Sequence, residues 1–361
     1  MPNDLHKPRT DARASMTATV AQLPEFDEII DVRSQSEYAE DHIPGAVNCP
    51  VLDDAERVEV GTLYKHSSFD AKKIGAALVS ANIARHLQQR FQDRPRTWRP
   101  LVYCWRGGGR SGALAHVMAQ VGWRVGRLDG GYRAYRRAVI EDLSLLPQSL
   151  RWRVVCGMTG TGKSRLLRDL ARVGCQVLDL EALALHRGSV LGNVPGERQP
   201  SQKMFESLVW HELRQFSSRR PVFVEAESKK IGNLRVPEAL IAAMWDSPCL
   251  ALEAPLDART ALLKQEYAHF LNEPELLASQ LDCLTGVHGH ETVARWQAQA
   301  RARRWDELVS ELLVQHYDPA YTRSTLKHYP QLAASPRLTL RDASDAAFAE
   351  LTRASREAVG A

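Results

Sequence analysis

The sequence predicts an α/β protein of two consecutive parallel-sheet domains, the second continued by a helical C-terminal part. Three observations carry that expectation. Short apolar runs bounded by turn residues alternate with helix-patterned stretches, the arrangement that gives parallel strands with crossover helices. Two glycine-rich loops, CWRGGGRS from Cys104 to Ser111 and GMTGTGKS from Gly157 to Ser164, each follow an apolar run and each open a helix. From Asp257 to about Gln315 the pattern is helical. At 361 residues the chain is long enough for two ordinary cores.

Taken in order, Glu28 to Val32 reads as a short buried strand, followed by a polar turn and a helix from Glu37. Pro44-Gly45 marks a turn into another short strand that ends before Pro50. Lys72 to Phe91 is helical, Pro100 to Tyr103 is a strand running into the Cys104 loop, and Ser111 to Val121 is an apolar-periodic helix. Trp123 to Leu128 is one more strand. A second cycle starts after Pro147, with strands at Arg151–Cys156, Cys175–Leu180, Pro221–Glu225 and Cys249–Leu252, and a helix at Ser164–Val173. These elements divide the chain into a disordered lead-in over 1–22, a first domain over 23–145, a second over 146–335 with its helical extension, and a tail over 336–361 that carries no legible chemistry.

Composition narrows the class. With 25% charged and 44% hydrophobic residues the chain is that of a soluble globular protein. No apolar run approaches the roughly 20 residues of a membrane span, and the first sixteen residues, MPNDLHKPRTDARASM, lack the apolar core of a secretory signal. Met16 is an alternative translation start. Cys49, Cys104, Cys156, Cys175, Cys249 and Cys283 form no C-x-x-C pair and no zinc spacing, which points to reduced thiols in a cytoplasmic protein without a structural metal. A net charge of +4 permits a nucleic-acid partner without demanding one.

The first loop places a cysteine between a strand end and a helix N-terminus. Backbone N–H groups of Trp105, Arg106, Gly107, Gly108, Gly109, Arg110 and Ser111 surround the Cys104 sulfur, and Arg106 and Arg110 add positive charge; both effects favour thiolate. Three consecutive glycines let the backbone turn its N–H groups inward. Asp31-Val-Arg33, Glu37-Tyr38 and His42-Ile-Pro-Gly-Ala46 with Pro50 resemble the N-terminal signature of rhodanese domains, and Cys104 falls where that fold carries its active cysteine. Cys104 to Arg110 is C-x5-R, one residue longer than the usual sulfurtransferase loop and equal to a phosphatase loop. Cysteine phosphatase action is the competing reading; Tyr103 stands where such enzymes usually carry histidine.

The second loop is a P-loop. Gly157, Thr159, Gly160, Thr161 and Gly162 form the cradle, Lys163 reaches terminal phosphates, and Ser164 is placed for Mg²⁺. No aspartate ends the strand that should supply a Walker B residue, so Glu225, Glu227 or Asp179 must serve. No residue is evidently placed to position an attacking water. The loop therefore reads as holding a phosphorylated substrate or a diphosphate leaving group rather than turning over ATP.

A rhodanese-like parallel-sheet domain followed by a P-loop NTPase-like α/β domain resembles the tRNA 2-selenouridine synthases. The pieces that carry the likeness are the two loops, Asp179-Leu-Glu with His186-Arg-Gly-Ser189, Glu225-Ala-Glu-Ser-Lys-Lys-Ile-Gly232, and Tyr317-Asp-Pro-x-Tyr321. Lys229-Lys230 departs from the arginine expected there and weakens bidentate phosphate recognition. The resemblance implies replacement of sulfur by selenium at C2 of a wobble 2-thiouridine in tRNA, using selenophosphate, by way of S-geranylation from geranyl diphosphate. His186 and Arg187, near the P-loop domain's second strand, are candidates for phosphate contact, Mg²⁺ is expected with the diphosphate at the P-loop, and selenophosphate synthetase is a further candidate partner. For tRNA, the candidate basic groups are Arg85, Arg90, Arg94, Arg96 and Arg99, then Arg133, Arg136 and Arg137, and the stretch Arg295 to Arg304, with Trp296 and Trp305 as candidate stacking surfaces. Alternatives are an ATP-dependent tRNA sulfurtransferase and a non-catalytic, nucleotide-regulated tRNA-binding protein.

Overall fold

The computed structural model describes residues 15–360. The chain divides into two compact units between Glu141 and Asp142, inside the helix Gly131–Ser149. Each unit is built on a five-stranded sheet, and every named pairing in the two sheets is parallel.

In the first unit β1 (Met16–Ala18), β2 (Glu28–Asp31), β3 (Val47–Asn48), β4 (Pro100–Tyr103) and β5 (Gly126–Leu128) lie in the order β1-β5-β4-β2-β3. All four residues of β4 are buried, as a strand covered on both faces requires. Ile30 and Val102 of the sheet share a core with Leu114 and Met118 of the helix Gly109–Val121. The thirteen-residue helix Asp54–His66 went unpredicted, although Asp53 and Glu56 form a capping box at its start.

In the second unit β6 (Arg151–Gly157), β7 (Gln176–Leu178) and β8 (Pro221–Glu225) are followed by the antiparallel hairpin β9 (Lys230–Ile231) and β10 (Leu234–Arg235). With β11 (Cys249–Glu253) and β12 (Arg337–Thr339) the main sheet runs β12-β11-β6-β8-β7. β6 is central, flanked by β8 and β11. The two glycine-rich loops thus leave the C-terminal ends of interior strands, the edge where open parallel sheets bind ligands. The expected helical stretch after Asp257 breaks into separate helices, with Pro274 opening one and Gly289 (φ +79°) capping another. Among the described residues no helix is long and apolar enough to cross a membrane.

Both chain ends depart from expectation. Of the lead-in assigned to 1–22, residues 1–14 lie outside the described residues, but Met16–Ala18 is β1, paired with β5. The first domain ends four residues before the expected 145. The tail assigned to 336–361 is structural: β12 extends the sheet beside β11, and the helix Asp345–Val359 buries Phe348 and Leu351 in the same core as Leu166, Leu167 and Leu170 of the helix Lys163–Arg172. Its ring reaches the P-loop itself, since a Cβ on Gly162 would lie 2.6 Å from Phe348 Cζ. Arg165, one turn further on, lies 4.0 Å over that ring and is paired with Asp345.

Phe348 is 1% exposed. Phe348→Ala is expected to lower the unfolding free energy by about 3 kcal/mol in urea titrations. A loss below about 1 kcal/mol would show that the C-terminal helix does not support the P-loop core.

Candidate active site

The cysteine loop is held from behind and open in front. Cys104 is 4% exposed, and its sulfur lies 3.2 Å from the Ser111 hydroxyl, which also lies 3.2 Å from the Gly108 carbonyl. That hydroxyl can donate to the carbonyl while the sulfur is a thiol, and rotate to donate to sulfur once it is a thiolate. The loop carbonyls are taken by the helix that begins at Gly131: Tyr132 N–H donates to Cys104 O at 2.8 Å and Arg133 N–H to Trp105 O at 3.1 Å. The three glycines are not equivalent. Only Gly107 has positive φ (+67°), and a Cβ there would lie 2.7 Å from Leu128 O. Gly108 and Gly109 have nothing within 4 Å of a Cβ position, so what they provide is open space over the loop.

The residues of the upstream signature form the support. Arg33 and Asp31 make a buried ion pair at 2.6 Å, and Arg33 also donates to Asp41 O at 2.6 Å. The Arg33 guanidinium lies 4.0 Å over the Tyr132 ring, whose hydroxyl donates to Asp41 at 2.7 Å. Trp105, 38% exposed, stacks on the other aromatic partner of this chain of contacts, Tyr132, at 5.2 Å. Arg110 is less free than its position in C-x5-R suggests: it donates to Glu37 at 2.8 Å, and Arg57 lies 3.0 Å from the same carboxylate. Burial pushes the Glu37 carboxyl up, but the bond and charge of Arg110, with the Ser34 N–H and the Arg57 charge, outweigh it and hold it below the usual range. Arg106 is exposed on the loop. Tyr132 and Arg57 carry no motif of their own, and sequence reading passed over them.

The P-loop lines a cavity of about 720 Å³. A Cβ on Gly157 would lie 2.5 Å from Thr161 Oγ1, and Gly160 and Gly162 have φ of +82° and +84°. Thr161 donates to Met158 O at 2.8 Å, and Lys163 Nζ donates to the carbonyls of Gly157 and Met158 at 2.7 and 3.3 Å. Arg259, 5% exposed, locks the loop: its Nε donates to Thr159 O at 2.9 Å, while its two terminal nitrogens meet Asp318 at 3.0 and 2.5 Å. Asp318 belongs to the Tyr317-to-Tyr321 motif, and Tyr317 and Tyr321 both line the cavity. Arg259 was not among the residues singled out, because no local pattern marks it.

Carboxylates crowd the same cavity. Ser164 donates to Glu181 at 2.8 Å, and Glu181 N–H donates to Glu225 at 2.9 Å. Asp179 caps the short helix after β7, accepting from Ala182 N–H at 2.8 Å. Gly188 (φ +67°) lies against Glu181 and Glu227, with a Cβ position 2.9 and 3.0 Å from their oxygens. Burial, reinforced by neighbouring carboxylates, pushes Glu225 well above its ordinary value and Glu227 to about 8, and burial raises Asp179, Glu181 and Glu266 too. His186 is 6% exposed, accepts from Gly188 N–H at 3.1 Å, and is pushed down by burial. Arg187 lies 4.5 Å over the Tyr267 ring in the cavity wall. Of the groups proposed for RNA contact, Trp296 is fully buried and donates to Glu311, while Arg94, Arg295 and Arg301 are ion-paired.

A carboxyl raised from its ordinary 4.5 to about 8 binds its proton more tightly when folded. Its stabilising effect is full below the lower value and is lost as pH rises through the upper one. The ligand-free protein is therefore expected to lose urea stability between pH 5 and 8, with Glu227→Gln flattening that decline. An unchanged slope in the variant would remove Glu227 from the effect.

Comparison with known proteins matches both units. Residues 16–138 match the model of the rhodanese-like domain, and residues 150–282 that of the tRNA 2-selenouridine synthase AAA domain. A tRNA 2-selenouridine synthase from Marinobacter nauticus is 31% identical over 330 residues, 81% of this chain and 87% of the relative. One from Alcanivorax borkumensis is 32% identical, covering 81% and 88%. One from Nitrosomonas europaea is 34% identical over 249 residues, 66% of this chain, and that match spans only 63% of the relative's length. Since the likeness runs through both units and along most of the Marinobacter sequence, the chain belongs to the tRNA 2-selenouridine synthase family.

Proposed function

We propose that this chain replaces sulfur by selenium at C2 of wobble 2-thiouridine in tRNA, in two steps that use its two loops in turn. The observation that carries the reading is the pairing, in one chain, of a loop cysteine under an open glycine face with a P-loop whose neighbouring strand β8 ends in a buried glutamate instead of an aspartate. Such a P-loop suits a substrate diphosphate better than a hydrolysed nucleotide.

In the first step the thiouridine sulfur attacks C1 of geranyl diphosphate. The C1–oxygen bond breaks, the uridine loses its N–H proton, and diphosphate leaves. Lys163 and the P-loop N–H groups would stabilise charge building on that leaving group. Alkylation turns a poor leaving group into a thiol and makes C2 electrophilic. In the second step selenium from selenophosphate attacks C2, geranylthiol departs, and water takes the phosphoryl group. Cys104 and its loop would hold the selenophosphate through the backbone N–H groups, with Ser111 tuning the sulfur and Gly108 and Gly109 leaving room for a tetrahedral anion. Glu37 would keep Arg110 aligned beside the loop.

Mg²⁺ fits the P-loop site as a partner of the diphosphate. Among the described residues no three His, Cys, Asp or Glu side chains are arranged to hold an ion alone, but Ser164 and Glu181 are adjacent at 2.8 Å and one oxygen of Glu225 is buried without a partner. An ion there would take most of its ligands from phosphate oxygens and water, as Mg²⁺ prefers. It would supply charge neutralisation on the leaving group.

Purified protein with 2-thiouridine tRNA, geranyl diphosphate and selenophosphate, each omitted in turn, tests the reading by mass spectrometry of the nucleoside. Sulfur insertion driven by ATP would point instead to a sulfurtransferase. Cys104→Ala is expected to lose at least 100-fold in selenation while keeping geranylation; loss of both would sink the division of labour. Lys163→Ala is expected to abolish both, by roughly 100-fold or more, and selenation of plain thiouridine tRNA by that variant would contradict the sequence of steps.

A further inference from the structure

One wall of the P-loop cavity is the π-helical turn Leu313–Tyr317, which puts His316 and Tyr317 on the cavity side by side. Such turns inside helices are frequent at functional sites. His316 Nδ1 lies 2.9 Å from Nε2 of His288, the last residue of the helix Thr285–His288. The two rings meet edge to face at 5.1 Å, and His288 is braced by Trp296 at 5.0 Å. Trp296 is fully buried and donates to Glu311, so the pair rests on core.

A hydrogen bond between two imidazole nitrogens has one proton between them, so one ring donates and the other accepts. His316 spends Nδ1 on that bond, which leaves Nε2 for a ligand. When His316 is the donor, its Nε2 carries a lone pair and is a base. Burial, with His288 beside it, lowers the affinity of His316 for a proton and keeps that lone pair free near neutral pH. Other cavity groups suit the task less. His186 accepts from Gly188 N–H through Nδ1, so its neutral ring carries the proton on Nε2 and can only donate to a ligand. The raised carboxyls are pushed towards the protonated form. His328 lies flat on Trp245 at 4.2 Å, with no hydrogen-bonded partner behind it among the described residues. Of the titratable groups around His316, His288 and Tyr317 pack on its ring, and Lys163, Glu181, Arg187 and Glu266 line the same cavity.

We propose that His316, backed by His288, is the base that takes the N3 proton of 2-thiouridine during the alkylation. The inference rests on reading this cavity as the site of that step. N3–H gives its proton to His316 Nε2 while its electron pair moves through C2 onto sulfur. The sulfur then bonds to C1 of geranyl diphosphate, and the C1–oxygen pair leaves with the diphosphate. The dyad is left with one extra proton, shared through the bond to half-buried His288 and returned to water. At about 720 Å³ the cavity has the size of sites that enclose a small-molecule substrate, with room beyond a diphosphate.

Single-turnover geranylation of 2-thiouridine tRNA by the full-length protein, read by mass spectrometry of the nucleoside, tests this. His316→Gln is expected to slow transfer roughly 100-fold at neutral pH, with the half-saturating concentration of geranyl diphosphate held within about twofold. The unaltered rate should rise with pH and level off once His316 is neutral. That limb should vanish in the variant, whose deficit shrinks in alkali because N3 then ionises unaided. Free imidazole should restore part of the rate to His316→Ala. Transfer by His316→Gln within about threefold of the unaltered protein, or a loss equal at every pH that imidazole does not relieve, would overturn the assignment. If His316→Gln does not melt cooperatively by circular dichroism, His288→Asn decides, and a rate and pH limb identical to the unaltered protein's reject the dyad. An unaltered protein that forms no geranylated nucleoside defeats the proposed function and this step together; one that geranylates regardless of His316 defeats this step alone.

Discussion

The second unit depends on one ion pair, between buried Arg259 and half-buried Asp318. Arg259 reaches the P-loop carbonyl of Thr159 with one nitrogen and clasps Asp318 with two others. Three elements are joined at that point: the phosphate loop, the helix Leu256–Glu266, and the helix Asp318–His328. Removing Asp318 would leave the buried Arg259 charge without its partner, a change that costs about 3–5 kcal/mol where both partners are fully buried and less here. Its importance is geometric as much as energetic. Asp318 stands between Tyr317 and Tyr321, so anchoring it fixes the wall of the P-loop cavity. Phe348 supports the same loop from the core side, filling the space that a side chain at residue 162 would need.

The cysteine loop follows the same logic with different parts. Its carbonyls are drawn back by the N–H groups at the start of the helix Gly131–Ser149, and Arg33, gripping Asp31 and the Asp41 carbonyl, carries the Tyr132 ring on which Trp105 rests. In both loops the glycines with positive φ are those where backbone or a fixed ring approaches closely, as at Gly107 and Gly162. The front of each loop is left free. Donors held in place before a ligand arrives need no reorganisation when charge develops on it.

Charge is managed less simply than an anion site would suggest. Five carboxyl groups, Asp179, Glu181, Glu225, Glu227 and Glu266, share the neighbourhood of Lys163, and burial pushes all of them towards the neutral form. Ionised together they would repel a diphosphate. Neutralised by protons, they would instead act as hydrogen-bonding groups around the proposed diphosphate. A glutamate rather than an aspartate at the end of β8 belongs to this arrangement: its longer arm reaches the Glu181 N–H.

The two loops, their strands and the helices after them were legible in the sequence, because each is a local pattern: glycines, a cysteine or lysine, and a helix start within eight residues. Asp31-Val-Arg33 was legible as a signature, though its work as a buried ion pair was not. The helix Asp54–His66 was missed despite a local capping box, since its residues carry no buried apolar stripe to announce it. What only the tertiary structure decided joins distant parts of the chain. Glu37 meets Arg110 across 73 positions, Arg259 meets the P-loop across 100, and the supposed tail becomes an edge strand and a packed helix. Trp296, read as a stacking surface, is core. The sequence by itself determined where the two glycine-rich loops lie, since backbone conformation and helix starts are set by near neighbours. Tertiary packing decided how stiffly they are held, because such contacts exist only when remote segments meet.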